Sequence, residues 1–273
     1  MVRYPRFRSL LAIAAAIVLG SAPAAAEAGA GLIPWSHDPE QAFTTARETG
    51  RPVLVNFHAD WCAPCHVMDA ETFGNADVVE RAGSFVVLKV DADRNEALAD
   101  RYEVTLLPTT FVLTPTGKPV ITMRGVVGAA DMVELLGVVD DGWDGYFDAI
   151  QRPADPDALE VAATYLARIG NAPDALKSLR LAASLLRSSG AEPARVQAVE
   201  IKVAQASLAN GQWQSAMAEF DRLSRDGVAR EIRAMALVGM MDVHRTRGRE
   251  TEAAELLEVL QQDYPDAIEA LGL

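Results

Sequence analysis

The sequence predicts an α/β unit followed by an all-α unit of repeated helical hairpins. Three observations carry this. From about Leu32 to Leu136, short apolar runs of strand length alternate with helical patterns. Beyond about Asp140 no β-rich run occurs, and alanine and leucine dominate. In that second half one template, Gly-x4-Ala-x3-large, recurs three times.

The elements follow in order. Asp38 is placed to cap a helix through Pro39, Ala42, Phe43 and Ala46, with Gly50 as its stop. Val53–Phe57 is a continuous apolar run, the mark of a central strand covered on both faces. A helix carrying Cys62, Cys65 and Met68 comes next, then a second buried strand over Phe85–Val90. Arg94–Tyr102 reads as helix. Thr110–Leu113 and Val120–Met123 read as a hairpin across the turn Thr114-Pro115-Thr116-Gly117. Asp131–Val139 closes the unit as a helix.

The repeat template falls on Gly170, Ala175 and Leu179, on Gly211, Ala216 and Phe220, and on Gly248, Ala253 and Leu257. In each copy the glycine ends one helix. The small alanine then lets the next helix pack closely beside a large apolar side chain. The spacing, and Pro265 after the third copy, resemble tetratricopeptide repeats over roughly Asp157–Pro265. Trp213, Met240 and Met241 read as packing residues of these hairpins, and Trp143, Tyr146 and Phe147 as a dock between the two units. The expected division is 1–26 leader, 27–140 α/β domain, 141–156 linker and 157–273 helical repeats.

The leader reading rests on Arg3, Arg6 and Arg8 before an apolar core from Leu10 to Leu19, with Ala24-Ala25-Ala26 as a cleavage site. The core is about ten residues, short of the roughly 20 that span a bilayer. Export to a bacterial periplasm is therefore expected, without stable membrane insertion after cleavage. The formal charge is −13. Removing the three leader arginines leaves 22 basic against 38 acidic residues, or −16, which argues against nucleic acid as a partner.

Trp61-Cys62-Ala63-Pro64-Cys65-His66 holds the only two cysteines. At a helix start, free backbone N–H groups and the positive dipole end stabilise a thiolate, lowering the pKa of the first cysteine. Such a pair can open and close a disulfide. The same letters fit a c-type haem attachment motif. A zinc site would need two more soft ligands, and the four histidines show no ligand spacing.

Context carries a resemblance. An apolar strand followed at once by Trp-Cys-x-Pro-Cys, with Val104-Thr105-Leu106-Leu107-Pro108-Thr109-Thr110-Phe111 downstream, resembles thioredoxin. His58-Ala59-Asp60-Trp61-Cys62-x-x-Cys65, then Asp69 and Thr72-Phe73, is similar to the C-terminal periplasmic domain of the thiol:disulfide interchange protein DsbD. The resemblance implies a thioredoxin fold and thiol–disulfide oxidoreductase activity with no cofactor beyond the redox-active Cys62–Cys65 disulfide. It implies Cys62 as the attacking sulfur, Cys65 as the resolving thiol, and Pro108 as a cis-proline facing them. Trp61, Leu107 and Thr109 would meet an extended substrate segment.

One departure matters. The family's buried aspartate, six residues before the first cysteine, is Asn56 here. An amide cannot accept a proton near neutral pH, so Asp69, one helical turn after Cys65, becomes the first substitute base, with Glu71 behind it. Lys89, the usual neighbour of that aspartate, is left without its partner. Loss of the negative charge should make the potential less reducing than thioredoxin's, about −270 mV. Protein disulfides are the expected substrates and a DsbD-type membrane donor the expected electron source. The rival readings are a chaperedoxin-like holdase and an oxidase or isomerase using the same thiols.

Overall fold

The computed structural model describes residues 32–225 and 228–271. The leader expected over residues 1–26 lies outside them.

The head is built from α1 (Pro39–Thr49), β1 (Val53–His58), α2 (Ala63–Glu71), α3 (Ala76–Ala82), β2 (Val86–Asp91), α4 (Glu96–Arg101), β3 (Thr109–Leu113), β4 (Pro119–Arg124) and α5 (Ala129–Asp140). Asp38 caps α1 by accepting from Gln41 N–H, and Gly50 ends it with φ of 71°. Helix α3 escaped the sequence reading. It is short, and its signals are only the Asn75 cap and the buried Val78 and Ala82.

The strands lie in the order β2-β1-β3-β4. β1 runs parallel to β2 and antiparallel to β3, and β4 is antiparallel to β3. Alternation sorts the side chains of β1. Val53, Val55 and Phe57 join Phe111 and Leu113 under α1 and α4. Leu54 faces the other way, among Met68 of α2, Val78 of α3, and Met132 and Leu136 of α5. Burial on both faces explains why β1 reads as an unbroken apolar run.

The helical region comprises α6 (Trp143–Ile150), α7 (Pro156–Arg168), α8 (Ala172–Ser188), α9 (Pro193–Ala209), α10 (Trp213–Leu223), α11 (Arg230–Thr246), α12 (Glu250–Asp263) and α13 (Pro265–Leu271). Gly170, Gly211 and Gly248 hold φ of 80°, 75° and 69° at the joints within the three hairpins, a conformation glycine adopts without strain. Ala175, Ala216 and Ala253 are all buried, as are Leu179 and Phe220. In the third copy Leu260 takes the deep place, and Leu257 is half-buried. Two buried carboxylates tie the hairpins together. Glu160 of α7 accepts from Arg195 and Lys202 of α9, and Glu200 of α9 from Arg187 of α8 and Arg222 of α10. Burial pushes Glu160 up, but those two cations outweigh it and hold its carboxyl below the usual range.

Within 141–156, the span read as a linker, lies α6. Its face of Trp143, Tyr146 and Ala149 is buried, while residues 151–154 that follow it are exposed. Trp143 donates to Gly50 O at 2.8 Å, and its ring stacks on Phe147. Tyr165 of α7 stacks on Tyr146 and donates to Val139 O at 2.9 Å. Asn171 donates to Val120 O on the outer strand β4, and Lys118 pairs with Asp174. One continuous apolar cluster therefore runs from Leu54 of the sheet to Val199 of α9.

Gly239 of α11 lies close against α10. A Cβ there would stand 2.4 Å from the ring of Phe220, which is fully buried. Gly239→Ala gains about 1 kcal/mol of helix propensity, yet overpacking costs about 1–3 kcal/mol. At so short a distance the upper end applies. We expect a net loss of about 1–2 kcal/mol, read as a lower midpoint in urea unfolding.

Candidate active site

The cysteines stand where a strand hands over to a helix. Cys62 is the N-cap of α2, and Pro64 lies in its first turn, where a missing N–H costs nothing. Cys62 Sγ accepts from Cys65 N–H at 3.2 Å. The two residues form a disulfide with Cα atoms 5.3 Å apart. Cys62 and Cys65 are 2% and 3% exposed, in a small cluster with Ala59 and Leu107. Among the described residues, no group of three or more His, Cys, Asp or Glu could hold a metal ion.

Large apolar side chains are exposed in the segments that flank the pair. Trp61 is 71% exposed, with its indole N–H donating to Asp93 at 2.8 Å. Val67, Leu106 and Val126 are also large, apolar and exposed. Val67 is on α2 just past the cysteines, and Leu106 begins the loop that carries Leu107. Val126 follows Gly125, whose N–H donates to Pro108 O at 2.8 Å. The Leu107–Pro108 bond is cis. Thr109 Oγ1 donates to Leu106 O at 2.6 Å, pinning the turn. An extended chain laid over the disulfide would meet apolar side chains from all three segments.

A polar group is buried in β1, six residues before Cys62. Asn56 is 2% exposed, and its amide donates to Thr110 Oγ1 at 3.0 Å. In the register of the sheet Asn56 sits opposite Lys89 on β2 and Thr110 on β3. The expectation that Lys89 lacks a partner is corrected. Its ammonium lies 2.6 Å from Asp69 Oδ1, with the two side chains 13% and 34% exposed. The carboxylate missing from β1 is thus supplied to the lysine from α2. Glu71 is exposed, away from this pairing. His66 is an exposed helix residue whose Nε2 lies 2.9 Å from Asp60 O.

Sequence reading missed three members of the site. Thr110, as partner of Asn56, follows only from register. Asp93, as partner of Trp61, has no local signal. His58 falls on the same face of β1 as Asn56 by simple alternation, which could have found it. Burial pushes the His58 imidazolium down and Lys89 acts the same way, while Asp69, Asp91 and Asp60 oppose without reversing the shift. His58 is therefore mostly neutral at pH 7.

Known proteins agree with this geometry. Residues 39–139 match the family described as a thioredoxin-like domain. A thioredoxin-like protein of Synechocystis, slr0233, is 40% identical over 93 residues, 32% of this chain and 81% of its own length. Thioredoxin of Mycobacterium tuberculosis is 35% identical over 98 residues, 36% of this chain and 79% of its own. The thiol:disulfide interchange protein DsbD of Vibrio vulnificus is 33% identical over 103 residues, 36% of this chain but only 17% of its own length. With a strand-to-helix dithiol built in this way and these relatives, the chain belongs to the thioredoxin-like family of thiol–disulfide oxidoreductases.

Proposed function

We propose that this chain is an exported thiol–disulfide oxidoreductase that works in the periplasm and reduces protein disulfides, fed by a membrane donor of the DsbD type. The observation that carries the reading is a disulfide capping a helix inside an exposed apolar rim. The rim suits an unfolded or extended protein segment rather than a small polar thiol. The proposed division is a cleaved leader over 1–26, the redox domain over 27–140, a connecting span over 141–156 and tetratricopeptide-like repeats over 157–273 that hold a partner.

In the reduced enzyme Cys62 is the thiolate, stabilised by the first N–H groups of α2 and the helix dipole. It attacks one sulfur of a partner disulfide, forming a mixed disulfide and expelling the other partner sulfur, which takes up a proton. Cys65 then loses its proton and attacks Cys62 Sγ. The intramolecular disulfide closes, and the second partner sulfur leaves and is protonated. Two electrons have passed to the partner. Asp69, ion-paired to Lys89 at 2.6 Å, takes the Cys65 proton in place of the carboxylate absent at Asn56. Pro108, Leu107 and Thr109 shape the loop that faces the partner, and Trp61 shields one side of the sulfur.

The test is the reduction potential of Cys62/Cys65 measured against glutathione, with reduction of insulin alongside. A potential between the thioredoxin and glutaredoxin values, about −270 to −200 mV, with insulin turnover, supports the reductase. A potential near DsbA's, about −120 mV, makes the chain an oxidase. Suppression of client aggregation that survives Cys62→Ser makes it a holdase.

Asn56→Asp tests the tuning. The variant places a carboxyl at a buried position whose neighbouring lysine is already paired. Its negative charge disfavours thiolate, so the potential should move to more negative values. Burial raises that carboxyl's folded pKa above the unfolded value of about 3.9. Its contribution to stability is thus full below that pH and lost as pH rises through the folded pKa. The melting temperature should fall further below the native protein's between about pH 4 and 8. An unchanged potential and thiol pKa would remove Asn56 from the account.

A further inference from the structure

The end of β1, four residues before Cys62, carries a group that can change charge near physiological pH, and the mechanism above does not use it. His58 closes β1 one alternation beyond Asn56, opposite Asp91 in the β1–β2 register. The groups that act on it come from every neighbouring element. These are Lys89 and Asp91 of β2, Asp69 of α2, and Asp60 of the turn that leads to Cys62. Arg94 reaches both Asp91 and Asp60, at 3.3 and 3.4 Å. Three carboxylates and two cations leave this cluster at −1 with His58 neutral, and at zero with His58 protonated. The next residue, Ala59, packs directly against both cysteines, and its carbonyl accepts from Cys62 N–H at 3.1 Å.

We propose that His58 is a positioning residue whose protonation is coupled to the redox state of Cys62–Cys65, resting on the reading that Cys62 is a thiolate when reduced. It acts through charge rather than contact. Reduction by a dithiol oxidises that dithiol to its own disulfide and releases two protons. Two electrons and one proton convert Cys62–Cys65 to the Cys62 thiolate and Cys65 thiol. The new negative charge favours the imidazolium, so His58 retains the second proton to a higher pH than in the oxidised protein. Reciprocally, protonated His58 stabilises the Cys62 thiolate. It also competes with Lys89 for Asp69, so the proton acceptor for Cys65 is weakened as pH falls. The site thus favours holding a reduced, waiting thiolate at mildly acidic pH and resolving mixed disulfides faster above it.

The test is an NMR titration of the imidazole resonances of the full chain, oxidised and then reduced with excess dithiothreitol, with His58 identified by its loss in His58→Asn. The His58 midpoint should rise by about half a pH unit on reduction. A His58 midpoint identical in the two states overturns the proposal, and this readout needs only the native protein. As a second arm, the pH profile of iodoacetamide reaction at Cys62 should show an inflection near the His58 midpoint that His58→Asn removes. Superimposable profiles for the two proteins overturn it as well. A Cys62 that reacts at pH 7 faster than free cysteine while the His58 midpoint stays put overturns the coupling alone. A Cys62 that reacts no faster than free cysteine removes instead the assignment of Cys62 as an activated nucleophile, on which the coupling rests.

Discussion

Cys62→Ser is expected to bring disulfide reduction down to the uncatalysed rate, whereas Cys65→Ser should retain the first half of the reaction and stall. The difference follows from the two environments. Cys62 Sγ is the atom that accepts from the α2 backbone, so its thiolate is the one the helix start stabilises. A serine hydroxyl there remains protonated near neutral pH and does not attack a disulfide. With Cys65 replaced, Cys62 still attacks, but no second sulfur waits to release the partner. A mixed disulfide should accumulate, visible on a non-reducing gel and cleared by dithiothreitol. A Cys65→Ser chain that turns over normally, or a Cys62→Ser chain that still forms the adduct, would reverse the roles of the two sulfurs.

The second large effect is on folding. A chain ending at Asp140 contains both cysteines and every strand among the described residues, yet it should fail to form a stable, soluble domain. It loses the Trp143 bond to Gly50 and the Tyr165 bond to Val139. The outer strand β4 loses Asn171 and Asp174, which cover it. Met132, Leu136 and Val139, all fully buried in the whole protein, belong to a cluster that continues into α6–α9. Trp143→Ala probes the same junction in the full chain. Truncating a buried tryptophan costs about 3–5 kcal/mol, a large share of the 5–15 kcal/mol that a domain has in total. Circular dichroism melts of the variant and of the truncated chain measure both. A 1–140 chain that melts like the full protein would show that the two halves are independent.

Much of this architecture was legible from residue pattern. The unbroken apolar run of β1, the Asp38 and Gly50 caps and the repeating glycines each have a local cause that the sequence displays. Helix α3 was hidden because seven residues carry too little periodicity. The buried role of α6 was half visible. Trp143, Tyr146 and Phe147 suggested a dock, but the prolines and aspartates that follow suggested a connector. At the site the cysteines and Pro108 sit in motifs, so they could be named in advance. The Lys89–Asp69 pair, the Asn56–Thr110 bond and the Trp61–Asp93 bond could not. Each joins residues 20 or more positions apart in the sequence, and such a meeting is a property of the folded chain. The replacement of the usual aspartate by Asn56 was visible, but what Lys89 did in response was not.

The cluster that runs unbroken from Leu54 to Val199 leaves no swivel between the sulfur and the helices. On the function proposed above, a partner held by those helices would be presented to Cys62 at a set separation and angle, as a workpiece is held in a jig. Its chance of meeting the thiolate is then governed by its own reach rather than by the slack of a tether. Lengthening the span between the two halves would not loosen such a device; it would knock it out of alignment.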